Sequence, residues 1–224
     1  MPALPVLPVL PGLTDPPTAV PPATVARLVV KQLRSARLGP VSFALAAGEC
    51  LAVLGESGAG KSVLLRMLAD LDPCEGELLL DGVARHGMRA PAWRASVVYQ
   101  SAEPAWWEAS AAQHLQPGQL ARAEQLLPQL KLKAGILQAE LALLSTGERQ
   151  RLALIRSLAG APRVLMLDEP AAALDGATTL ALEAVLQAAQ ARGMAIIVVT
   201  HSVEQAARLA QRVLRLHDGA LVPA

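Results

Sequence analysis

The chain has 224 residues, 53% of them hydrophobic and 2% aromatic, with a formal net charge of +1. That length holds one domain with a sizeable core, the near-neutral charge offers no broad basic field for nucleic acid, and no apolar run reaches the roughly 18 residues of a membrane span. Cys50 and Cys74 fit reduced cytosolic thiols with packing roles.

Residues 1–24 carry eight prolines and one charged side chain, Asp15. They read as an extended Pro-rich tail, with a proline-motif ligand as the functional alternative. No Lys or Arg precedes Arg27, which makes a poor secretory signal. From residue 25 to 224 the pattern is that of one domain. Arg27 to Leu33, Val41 to Leu45 and Glu49 to Leu54 read as strands, the last running into a Gly-rich loop. Lys61 to Leu71 reads as a helix with Val63, Leu64, Met67, Leu68 and Leu71 on one face. Leu78 to Leu80 and Ser96 to Tyr99 read as further strands. Residues 101–143, rich in Ala, Gln and Leu, read as a small helical insert. With the helix from Thr146 to Ala159 this makes a lobe over about 101–159. Strands at Val164 to Leu167, Ala195 to Val199 and Val213 to Leu216 then alternate with helices ending near Arg192 and Ala210. Such alternation implies an α/β fold with a mostly parallel sheet.

The loop Gly55-Glu56-Ser57-Gly58-Ala59-Gly60-Lys61-Ser62 fits G-x-x-x-x-G-K-[ST] between a strand and a helix. Glycines let the backbone wrap a phosphate, successive N–H groups point inward, and the helix start favours an anion. Lys61 would pair with the β- and γ-phosphates of ATP, and Ser62 would ligate Mg²⁺. Strand Val164 to Leu167 ends in Asp168-Glu169, where parallel sheets place ligands. One carboxylate can hold Mg²⁺ through water and the other can polarise an attacking water; a solvated acidic turn is the plain alternative. His201 follows another buried strand and would reach a γ-phosphate or that water. Ser145-x-x-Glu148 is a capping box at a helix start, but Gly147 inside the first turn is not needed for a cap. It suits a backbone that a phosphate must approach.

In these motifs, in this order, the chain resembles the ATP-binding-cassette (ABC) ATPases over about residues 26–222. Gly55 to Ser62 matches the phosphate loop. Gln100 matches the glutamine that senses Mg²⁺ and the attacking water, and Ser145, Thr146, Gly147 and Glu148 match the signature. Asp168 and Glu169 match the metal-linked aspartate and catalytic glutamate. Asp175 matches the subunit-crossing loop, and His201 the switch histidine. Three departures stand out: Thr146 replaces a usual glycine, Glu148 a usual glutamine, and Arg34-Ser35-Ala36-Arg37 occupies the place of the adenine-stacking aromatic. An arginine plane would then serve the base.

The resemblance implies a P-loop NTPase of ABC type, with a small antiparallel β subdomain and a short helical subdomain beside the parallel core. It implies a homodimer in which ATP on one phosphate loop is closed over by Ser145 and Gly147 of the second copy. Glu169 would act as general base and His201 would stabilise the transition state. Hydrolysis would drive separate integral membrane subunits from the cytoplasmic face, with Trp106 and Trp107 either docking that partner or packing inside the helical lobe. The short insert is similar to that of small bacterial subunits of iron or metal export. The few residues after His201 leave no room for a regulatory domain. A soluble machine acting on DNA, ribosomes or iron–sulfur assembly, or a nucleotide sensor, is the other class.

Overall fold

The computed structural model describes residues 26–224; the Pro-rich reading of 1–24 lies outside them. Two sheets form the frame. Strands β1 (Ala26–Ser35), β2 (Leu38–Ala46) and β3 (Cys50–Leu54) open the chain. Helix α1 (Lys61–Leu68), strands β4 (Glu75–Leu80) and β5 (Val83–Ala84), helix α2 (Ala90–Ser96) and strand β6 (Val97–Gln100) follow. After the lobe with α3 (Leu120–Leu126) come α4 (Thr146–Ala159), β7 (Val164–Asp168), α5 (Gly176–Ala191), β8 (Ala195–Val199) and α6 (Val203–Leu209). Strands β9 (Arg212–His217) and β10 (Ala220–Pro223) end the chain. The first sheet is antiparallel in the order β2-β1-β4-β5, and the second runs β10-β9-β3-β8-β7-β6 with only β10 antiparallel to its neighbour.

The period-two alternation of the central strands divides the core. Leu51, Val53, Val164, Met166, Ile197 and Val199 face α1 and the antiparallel sheet. Cys50, Ala52, Leu165, Leu167, Ile196 and Val198 face α4, α5, α6 and the lobe. Strands buried on both faces read as continuous apolar runs, which is why β3, β7 and β8 stand out in the sequence. Helix α1 stops at Leu68, short of Leu71. Asp70 takes a left-handed φ of 58°. Its N–H donates to Met67 O, and Leu71 N–H to Arg66 O, at 3.1 and 2.9 Å. That pairing is a Schellman closure with Asp in glycine's usual place. The insert is less helical than expected. Within 101–143 it holds one α-helix, α3, joined by four short 3₁₀ turns. Among the described residues no helix is long and apolar enough to cross a membrane.

Candidate functional site

The phosphate loop joins β3 to α1. Gly55 has φ 153°, and a Cβ there would sit 2.6 Å from the Leu216 carbonyl oxygen. Only glycine passes between the sheet and the loop at that point. The loop lines a cavity of about 630 Å³ with Arg37, Ser57, Gly58, Gly60, Lys61, Ser62, Ala102, Asp168, Glu169 and His201 on its walls. Ser57, Gly58, Gly60, Lys61 and Ser62 of the predicted loop thus meet Asp168, Glu169 and His201, up to 144 residues apart in the chain, while Gly55, Glu56 and Ala59 do not line the cavity.

Within the cavity, Lys61 is buried and its Nζ donates to the Gly55 and Glu56 carbonyl oxygens, both at 2.7 Å. A cation held by its own loop is fixed where phosphate oxygens would displace those carbonyls. Ser62 Oγ donates to Asp168 Oδ2 at 2.6 Å, and Tyr99 OH donates to the same oxygen at 3.2 Å. Burial, then the Asp168 charge, pushes the Tyr99 phenol up to about 12, so it stays a donor.

Glu169 has a left-handed φ of 47°, unusual for a non-glycine residue. Three hydrogen bonds fix it there. Its N–H donates to Val199 O at 2.9 Å, and its carbonyl accepts from Gln150 Nε2 at 3.0 Å and Ala172 N–H at 3.3 Å. Burial raises its carboxyl above the usual range, and His201 nearby opposes that rise. His201 Nε2 lies 3.2 Å from Glu169 Oε1. The approach is not that of a hydrogen bond, so this buried oxygen has no donor. Glu169 itself lines the cavity beside His201, where a carboxylate suits a water that must be deprotonated.

Gln100 sits elsewhere. It is buried at the end of β6, its Oε1 accepts from Ser157 Oγ on α4 at 3.1 Å, and it does not line the cavity. Ser145 caps α4: its Oγ accepts from Glu148 N–H at 3.2 Å, while Ser145 N–H and Oγ donate to Glu148 Oε2 at 2.9 and 2.8 Å. These bonds hold the Glu148 carboxyl below its usual range. Gly147 packs against the crossing loop, where a Cβ would lie 3.1 Å from the Ala173 carbonyl oxygen. Asp175 caps α5 by accepting from Thr178 N–H at 2.8 Å and Thr178 Oγ1 at 2.9 Å. None of Ser145, Thr146, Gly147, Glu148 or Asp175 lines the cavity.

A family model described as ABC transporter matches residues 38–172. The aliphatic sulfonates import ATP-binding protein SsuB 2 of Burkholderia cenocepacia is 36% identical over 210 residues, covering 90% of this chain and 76% of that one. Its Nocardia farcinica namesake is 40% identical over 191 residues, covering 81% and 74%. The chain belongs to the ABC transporter family. An ABC transporter ATP-binding subunit of known structure superposes with a TM-score of 0.78 at 25% identity, covering 87% of each chain. The dimeric cassette MJ0796 superposes with a TM-score of 0.76 at 24% identity over 87% of this chain and 96% of that one, which shows the shared fold. This ABC cassette is therefore an ATP-binding, ATP-hydrolysing transporter subunit. Its relatives named here are sulfonate import proteins, and none of them carries the metal-export name that the short insert suggested.

Two residues of the site carried no motif signal. Tyr99 read simply as strand, and Gln150 as part of a helix. Gln150 sits on the buried stripe of α4 with Ala153 and Leu154. A polar residue on an apolar stripe was the available sign.

Proposed function

We propose that ATP lies along the cavity with its phosphates on Gly55 to Ser62, and that Glu169 deprotonates the attacking water beside His201. The observation that carries this reading is the convergence of Lys61, the Ser62–Asp168 pair, Glu169 and His201 on one cavity. Ser62 and Asp168 fit Mg²⁺. They bring a hydroxyl and a carboxylate oxygen together, and among the described residues no cluster of three His, Cys, Asp or Glu could hold a metal alone. Such a pair suits an ion shared with substrate phosphates, which when bound neutralises charge on the transferring phosphoryl group. Gln100 would join the site after releasing Ser157. Ser145, Thr146, Gly147 and Glu148 serve the partner copy's nucleotide across the dimer, since they lie off their own chain's cavity. Asp175 belongs to the loop that crosses between copies.

The cassette works from the cytoplasmic face of the membrane, on an integral membrane partner that Trp107 docks. The names of its relatives support an importer. The test is phosphate release by the protein with its partner, compared with Glu169→Gln. Loss of the general base should lower the rate by about 10²–10⁴-fold while ATP binding persists. A wild-type protein as inactive as the variant would overturn the reading.

A further inference from the structure

The Asp168 carboxylate is held from two elements. Ser62 on α1 gives one donor and Tyr99 on β6 the other, and both reach Oδ2. The sheet sets this geometry. Tyr99 pairs with Met166 on the neighbouring strand, and Asp168 lies two residues beyond Met166, on the same face. The phenol therefore reaches the carboxylate diagonally, while its half-buried ring packs into the core under α1. No side-chain donor reaches Asp168 Oδ1 among the described residues, so that oxygen is left for a cation or its water. Ser62 is already committed to the site, because its hydroxyl must serve both Asp168 and the metal. Tyr99 has no other duty that needs its hydroxyl. A phenylalanine would fill the same core space.

Building on the Ser62–Asp168 reading above, we propose that Tyr99 is a positioning residue that pins Asp168 and thereby sets how tightly the nucleotide-bound cassette takes up magnesium. A carboxylate that approaches a cation is oriented by its own hydrogen bonds, and losing such a partner costs about 10- to 100-fold in metal affinity. With Oδ2 fastened from both sides, the carboxylate does not swing away when Ser62 turns a lone pair to the metal.

The variant Tyr99→Phe keeps the ring and removes the bond. ATP affinity is measured by calorimetry in EDTA and across a magnesium series, and the magnesium dependence of phosphate release is followed alongside. Tyr99→Phe is expected to raise half-saturating magnesium by about tenfold and to leave affinity in EDTA unchanged. Tyr99 is the sole tyrosine of the chain, so a ¹³Cζ-tyrosine label gives one resonance. That resonance should shift when magnesium is added to the ATP-bound protein. An unchanged magnesium dependence in Tyr99→Phe, with Asp168→Asn losing it, overturns the role of Tyr99 alone. Asp168→Asn behaving as wild type overturns the metal site itself. Equal loss of affinity with and without magnesium shows a merely structural tyrosine and also overturns the proposal.

Discussion

Among the described residues Arg37 lines the cavity, and no Phe, Tyr or Trp does. A guanidinium there has two possible partners, the face of a base or a phosphate. In the proposed pose Lys61 and the loop N–H groups serve the phosphates, which leaves the base for Arg37. A cation stacked on a π-face contributes about 0.5–2 kcal/mol, so Arg37→Ala should weaken ATP binding by about 2- to 30-fold. Inorganic tripolyphosphate separates the two partners. Its affinity should not change in Arg37→Ala if the arginine serves the base, and it falls with that of ATP if the arginine serves phosphate. Calorimetric titration of both ligands reads the difference. Gln150 shows a different kind of contribution. Its amide ties helix α4 to the strained backbone of Glu169, the proposed general base of the same chain.

The elements most legible in the sequence were those whose pattern is set locally. Strands β3, β7 and β8 are unbroken apolar runs, because both of their faces are covered. Helix α4 was read at its observed bounds, Thr146 to Ala159, because its Ser145–Glu148 box marks the start. Helix α2 was not legible. Pro91 and a seven-residue length hide it, and its anchor is tertiary: Trp93 is fully buried and its Nε1 donates to the Leu68 carbonyl at 2.9 Å. The lobe's Ala and Leu content suggests more helix than forms, because those residues favour helices, whereas its turns are short and held by side chains. His114 illustrates this. Its Nε2 accepts from Trp107 and Glu108 N–H at 3.2 and 3.3 Å, while Nδ1 bonds to Ser110 O at 3.0 Å, which fits the tautomer with its proton on Nδ1. The two tryptophans flanking this ring differ in exposure. Trp106 is half-buried against the core beneath the Arg156 guanidinium, whereas Trp107 is 71% exposed. Trp107→Ala should therefore cost less than about 1 kcal/mol of stability and still abolish co-purification with the membrane subunit. The double variant would confound this result by unpacking Trp106. Retained co-purification of Trp107→Ala would remove that surface from the partner interface.

The two sheets are joined into one body by charge as well as by packing. Asp81 at the β4–β5 turn accepts from Arg27 at 2.7 Å and from Arg163 at 2.7 Å, and Arg27 reaches on to the Gly193 carbonyl at 3.2 Å. Within that body the nucleotide cavity and the signature helix start are separate, since none of Ser145 to Glu148 reaches the cavity wall. On the proposed reading one chain carries two half-sites, and two copies facing head to tail would complete both. This arrangement makes a prediction that a site built from one chain does not share. Lys61→Ala removes the phosphate grip but keeps the signature, while Ser145→Arg blocks the signature but keeps the grip. Each variant alone should release no phosphate. In an equimolar mixture half of the dimers pair one variant with the other, and each mixed dimer holds one intact site and one doubly defective site. With independent sites the mixture should recover about a quarter of the wild-type rate per chain, as expected for a two-fold symmetric pair. Phosphate release after co-refolding or prolonged exchange of the two variants measures it. No recovery, with both variants folded and Ser145→Arg still binding ATP, would mean that each site closes without the other copy.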